Sequence, residues 1–138
     1  MITIKRKLQQ FELIDASFNY FSQMDYHRDF MLYIEVSSLI NIKIRLIGVV
    51  SLNYTSRVIL NDFNMDEKLL LEDLKPPYNG YHWGIRGFGI TNWEIDDNSE
   101  DLVEMQKNYA FKLYRLTFEV NSSLISFIFH DLDIEEIE

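Results

Sequence analysis

The sequence predicts an α+β, mainly β domain: a curled antiparallel sheet or small sandwich of about six strands with one N-terminal helix. Apolar residues recur every three or four positions over residues 7–24, then every second position from Asp29 onward. Short turn-forming clusters separate the alternating runs, which favours antiparallel neighbours over parallel crossovers. Of the 138 residues, 47% are hydrophobic and 14% aromatic, enough to fill a single core, so residues 1–138 read as one domain.

The elements follow in order. Leu8, Phe11, Ile14, Phe18 and Phe21 form one helical stripe in a stretch without Gly or Pro, with room for a short strand over residues 1–5. Residues 30–36 alternate as a strand, and Ser37-Ser38 supplies a turn. Ile40, Ile42, Ile44 and Leu46 then alternate with Asn41, Lys43 and Arg45, which predicts a hairpin with one buried and one wet face. Residues 54–63 read as a further strand, with Val58 and Leu60 opposite Ile59; residues 65–74 fit a short helix or a strand equally well. Lys75-Pro76-Pro77-Tyr78-Asn79-Gly80 is a loop by its turn chemistry.

Residues 81–96 predict a strand with Ile85, Gly87, Gly89, Thr91, Trp93 and Ile95 on one face and Phe88 and Ile90 on the other. Glycine inside it predicts a bulge or a close approach of another element. Residues 97–101 read as a polar turn. Residues 109–120 predict a strand facing Tyr114, Leu116, Phe118 and Val120 inward. Phe111 and Leu113 fall out of that phase, which predicts a bulge near Lys112. Asn121-Ser122-Ser123 turns the chain into residues 124–130, with Leu132, Ile134 and Ile137 extending that last strand.

Composition narrows function. Without cysteine there are no disulfides, thiolate nucleophiles or zinc–thiolate sites, as fits a reducing compartment. The apolar-rich run over residues 39–52 is interrupted by Asn41, Lys43 and Arg45 and is too short to span a bilayer. The basic Lys5-Arg6-Lys7 is not followed by an apolar signal segment, so the expectation is a complete, cytoplasmic chain with no membrane association. A formal charge of −9 argues against a nucleic-acid ligand and for a cationic partner. Much of the acid is concentrated in residues 62–73, 96–104 and 131–138.

The chain carries no recognisable catalytic pattern. His27, His82 and His130 lie far apart on different predicted elements, and His130 and Asp131, as strand neighbours, point to opposite faces. No Gly-x-Ser-x-Gly elbow occurs. Asp96-Asp97-Asn98-Ser99-Glu100-Asp101 opens like a calcium loop, but Asp101 stands where Gly is required and Lys107 where Glu is. Gly84, Gly87 and Gly89 have the wrong spacing for a phosphate cradle. The expectation is therefore no catalytic residue, no cofactor and no metal.

Two groups suit a protein partner instead. Asp96, Asp97, Glu100 and Asp101 form an acidic cluster at a predicted hairpin tip. Tyr78, Tyr81, His82 and Trp83 follow the Pro-Pro loop and include residue types that dominate interface hot spots, although Trp83 reads equally well as core.

His27-Arg28-Asp29-Phe30 at the first hairpin, Gly87-Phe88-Gly89-Ile90 in the middle strand and Phe129-His130-Asp131-Leu132 at the end pattern much of residues 26–134. In this arrangement the chain resembles small bacterial immunity proteins encoded beside polymorphic secreted toxins, including the YxiG-like group. The resemblance implies a non-enzymatic inhibitor that binds its own toxin; it does not supply binding residues.

The reading is a cytoplasmic binding protein that neutralises a cationic protein partner, a basic toxin or nuclease domain. One alternative is a phage-encoded counter-defence inhibitor whose acidity mimics DNA. Another is an enzyme or small-ligand binder with a pocket near His82, Trp83 and Arg86. Exposed edge strands also leave a homodimer open.

Overall fold

The computed structural model describes residues 2–23, 28–56, 88–120 and 123–137. Within them the chain runs α1 (Ile2–Gln9), β1 (Ser17–Gln23), β2 (Phe30–Glu35), β3 (Asn41–Ile47), β4 (Ser51–Ser56), β5 (Phe88–Asp96), α2 (Glu100–Gln106), β6 (Tyr114–Val120), β7 (Ser123–Phe129) and β8 (Asp131–Ile137). The strands form one eight-stranded sheet in the order β4-β7-β6-β5-β1-β2-β3-β8. Every neighbouring pair is antiparallel. The mainly β, antiparallel expectation holds; the count of about six strands was low.

The N-terminal helix is not where the stripe placed it. It spans Ile2–Gln9, replacing the expected short strand, and buries Ile4 and Leu8 one turn apart. A helix of eight residues is marginal alone and depends on this packing. Lys7 fastens it to β8: its Nζ donates to the Leu132 carbonyl at 2.9 Å and lies 3.9 Å from Asp131 and 3.8 Å from Asp133.

Phe18 and Phe21 belong to strand β1, and a bulge explains their misleading spacing. The register of β1 against β2 slips between Phe18 and Tyr20, so Phe18 opposite Ile34 and Phe21 opposite Leu32 both face the core. Two inward side chains three residues apart imitate a helical period. Asp15, at φ +69°, makes the turn into β1 and donates its N–H to the Ile90 carbonyl at 2.8 Å. Asp tolerates the left-handed conformation better than most residues.

The hairpin of β2 and β3 is as expected, with Leu32, Ile34, Ile42, Ile44 and Leu46 buried. Ser37 Oγ accepts the N–H groups of Leu39 and Ile40 in the turn between them. Ile40, expected inside, is exposed at the mouth of that turn. Strand β4 begins at Ser51, before the expected Tyr54, and the remainder of that predicted strand, with residues 57–87, lies outside the described residues.

In β5 a bulge between Ile90 and Asn92 brings Ile90 and Ile95 to the same buried face, so the alternation expected through this strand breaks at Thr91. Gly89 is not needed for close packing, since a Cβ there would meet nothing within 4 Å. The chain leaves the sheet after Asp96 for α2, where a polar turn was expected. It returns only at Tyr114, so Phe111 and Leu113 are out of phase because they precede the strand rather than because it bulges. Residues 131–137 do not lengthen β7; they form β8, which pairs with β3.

The sheet curls over its own core. Phe21 of β1 and Phe127 of β7 are three strands apart in the order, yet their rings meet edge-on at 5.8 Å; Phe18 and Phe118 do so at 5.5 Å and Phe30 and Phe127 pack at 5.9 Å. The curl is closed at a corner. Strand β3 runs into β4 through residues 48–50, and β7 runs into β8 through His130, so each end strand continues a strand from the opposite end of the sheet. Both bent strands turn side by side. Ile47 accepts the N–H of His130 at 2.9 Å, and Ile128 accepts that of Val50 at 2.8 Å. Strands that pass from one layer to the other in this way form the corners of strongly coiled sheets.

Gly48 makes the bend at φ +66°, where an L side chain is strained, and an added Cβ would lie 3.3 Å from the His130 Cβ. Asp29 anchors it. Its buried carboxylate accepts the Gly48 N–H at 3.0 Å through Oδ1, and the Arg45 Nε and Nη2 at 3.0 and 2.7 Å through Oδ2. The Arg28 carbonyl, one residue away, accepts the Val49 N–H. Asp29→Ala is expected to cost about 3 kcal/mol, because it removes a buried charged acceptor and leaves the Arg45 guanidinium and the part-buried Gly48 amide unpaired. Gly48→Ala is expected to cost about 1–2 kcal/mol through backbone strain. Denaturant unfolding of both variants, with an unchanged m-value, checks these figures.

Candidate functional site

Asp96, Asp97, Glu100 and Asp101 come together where β5 passes into α2, but not at a hairpin tip. Asp96 Oδ1 accepts the N–H groups of Asn98 at 3.2 Å and Ser99 at 3.1 Å, which closes the turn out of the strand. Ser99 is the N-cap residue, yet its hydroxyl makes no cap bond; it accepts Arg115 Nη1 at 2.8 Å. Glu100 and Asp101 occupy the first turn of α2, where the helix dipole favours negative charge.

Two of the four carboxylates are matched by cations. Arg115 clasps Asp101 with both terminal nitrogens, and Lys112 lies 3.5 Å from Asp97. Glu100 has no ion pair among the described residues. The hydrogen bonds from Arg115, opposed by a smaller desolvation effect, hold the Asp101 carboxyl at about 2, below the usual 3.8. The helix is pinned beneath by Leu102, which packs with Leu113 and Ile128. Gln106 ties down the return loop, accepting the Leu113 N–H at 2.7 Å and donating to the Phe111 carbonyl at 2.8 Å. Tyr78, Tyr81, His82 and Trp83, like His27 and Arg86, lie outside the described residues.

His130 sits at the corner of the sheet. Its Nδ1–H donates to the Lys112 carbonyl at 2.8 Å and its ring packs 4.9 Å from Phe111. This agrees with a hydrogen-bonded structural histidine. Among the described residues no three His, Cys, Asp or Glu side chains are grouped so as to hold a metal ion.

The register exposes a surface that the sequence reading did not single out. On the outer side of β4, β7, β6 and β5, three cross-strand rows follow from the pairing: Ser51-Ile128-Arg115-Asp96, Asn53-Ser126-Thr117-Glu94 and Thr55-Leu124-Glu119-Asn92. The first row lies under α2, through Ile128 and through Arg115 on Asp101. The other two rows are polar and carry only two charges, Glu94 and Glu119. Neither carboxylate has an ion pair or hydrogen bond among the described residues. Here Asn92, Trp93, Glu94, Thr117, Glu119 and Leu124 line a shallow depression of about 230 Å³. Thr117 and Glu119 were visible in sequence as the wet partners of the inward set. Asn92 and Glu94 were hidden by the bulge at Thr91, which reverses the phase of β5.

These features define a small acidic, curled antiparallel β domain with an open, charge-poor sheet face. No helix among the described residues is long and apolar enough to cross a membrane. The YxiG-like protein family model matches residues 2–138, and the chain belongs to that family. No curated protein matches it.

Because the Asp101 carboxyl is depressed, its pair with Arg115 contributes to stability fully above the unfolded value near 3.8 and loses that contribution as pH falls toward about 2. Carboxyl-carbon NMR titration is expected to place Asp101 near 2, and Arg115→Ala is expected to return it toward 3.8.

Proposed function

We propose that the chain is a non-enzymatic, cytoplasmic binding protein that neutralises a cationic protein, and that this partner is a toxin against which it confers immunity. One observation carries the reading: the net charge is −9, and most of the described cations are spent on internal pairs. Lys7, Lys43, Arg45, Lys107, Lys112 and Arg115 each face a carboxylate of the same chain. The surplus negative charge, Glu94, Glu100 and Glu119 included, is left to meet another molecule.

The mechanism is occlusion. Carboxylates occupy positions where a toxin of nuclease-like charge holds substrate phosphates, and complementary potential speeds the encounter. Membership of the YxiG-like family supports this reading, since the resemblance to the immunity proteins of that group implies a toxin-binding role.

The test is co-expression with the toxin encoded beside the gene. Host survival and co-elution of the two proteins at low salt are expected. Affinity should fall by roughly tenfold or more between low and physiological ionic strength. Undiminished killing together with failure to co-elute at any salt concentration rejects the reading.

A further inference from the structure

The acids of this surface fall into two electrostatic settings. On β8 and α2 most are countered among the described residues, Glu136 and Glu100 excepted: Glu135 by Lys43 at 3.3 Å, Asp131 and Asp133 by Lys7, Glu104 by Lys107 at 2.9 Å, and Asp101 by Arg115. On the two bare rows of the outer face they are not. Glu94 stands opposite Thr117 and Glu119 opposite Asn92, so the two glutamates are diagonal neighbours across β5 and β6. Diagonal side chains in a sheet are within reach of one another, and like charges so placed repel. Among the described residues of the three rows the only cation, Arg115, is already held by Asp101 and Ser99.

We propose that these two rows are the docking surface for a basic protein, and that the depression between Glu94 and Glu119 receives an arginine or lysine side chain from it. The proposal rests on the reading of the chain as a binder of a cationic protein and names the face that does the binding. Charge complementarity supplies the argument: a bound guanidinium or ammonium relieves the repulsion that the chain itself leaves unrelieved. Size agrees. About 230 Å³ is below the range of roughly 300–1,000 Å³ typical of small-molecule sites, and suits one long side chain. The surroundings agree as well. Beyond the two glutamates the rows hold only uncharged residues, with Leu124 beside Glu119 to meet the apolar stem of the incoming residue. A centre depleted of charge and free of lysine is the composition of an interface core.

Tetra-arginine peptide, titrated at low salt into ¹⁵N-labelled protein, tests the face without the partner. The amides of Glu94, Thr117 and Glu119 are expected to shift saturably. Glu94→Gln with Glu119→Gln is expected to weaken the response about tenfold, since two exposed ion pairs are lost. The two substitutions lie on the outer face, one on each row, and Thr117→Lys, which adds a repelling charge at the same place, serves as a second variant with the same expected loss. Equal response in the variants, or shifts confined to Asp131 and Asp133 on β8, overturns the proposal. Against the co-encoded toxin, loss of affinity in the same variants supports the face. Undiminished affinity places the contact elsewhere while leaving the immunity reading intact. Failure of the unaltered protein to bind or protect removes that reading, and the peptide titration still decides whether the face takes a basic side chain.

Discussion

A single carboxylate holds the sheet in its coiled form. Asp29 is buried, and it sits where the chain turns from one layer into the other, accepting the Gly48 N–H and the Arg45 guanidinium together. Burying a charge is costly unless charge-assisted hydrogen bonds offset it, and here they come from the two elements that must be brought into register. Gly48 belongs to the bend and Arg45 to the strand entering it. Among the described residues β1 meets β5 at Ser17 with Gly89 and Phe18 with Phe88, with further amide bonds around Asp15 and Ile90. The corner ties the β5–β6–β7–β4 side to the rest from the opposite edge, through the Val49, Val50 and His130 amides.

The same bend explains what was legible in the sequence. Alternation in the β2–β3 hairpin and in β6 was read directly, because each strand there is regular and one face is dry. Where a strand bulges, period two is lost. In β1 the bulge after Phe18 left Phe18 and Phe21 three apart and produced a false helix; in β5 the bulge at Thr91 reversed the faces and hid Glu94. The real α1 escaped notice because only Ile4 and Leu8 mark it, and α2 because Leu102 is its only buried residue. Pairing of β8 with β3 rather than with β7 is a long-range event, decided by the corner, that no local period reports.

The acidic clusters were legible as composition but not as roles. Asp96 shapes a turn, Asp97 and Asp101 answer Lys112 and Arg115, and the acids of β8 lie on an edge strand. There Glu135 faces Lys43 and Asp133 faces Arg45 across the β3–β8 ladder. Charged residues along an edge discourage the pairing of one molecule with another. Much of the described acid is thus spent on turns and ion pairs within the fold, so local concentration of charge is a poor guide to which carboxylates are left uncompensated.

What distinguishes a binding carboxylate is the absence of an internal counter-charge combined with a rigid place to stand. Glu94 and Glu119 meet both conditions: each is on a strand paired on both sides, and neither has a cation of its own among the described residues. A partner docking on such a ladder orders no backbone. It needs to fix only a few side chains, each at about 0.5–1.5 kcal/mol, whereas a contact built on mobile tips would lose backbone freedom as well. With no internal ion pair to break, an incoming cation has only to displace water from these carboxylates. A sheet face carrying two uncompensated charges among amides and hydroxyls is therefore a better platform for a tight, salt-sensitive complex than the more acidic corner beside it, where Asp97 and Asp101 are already paired.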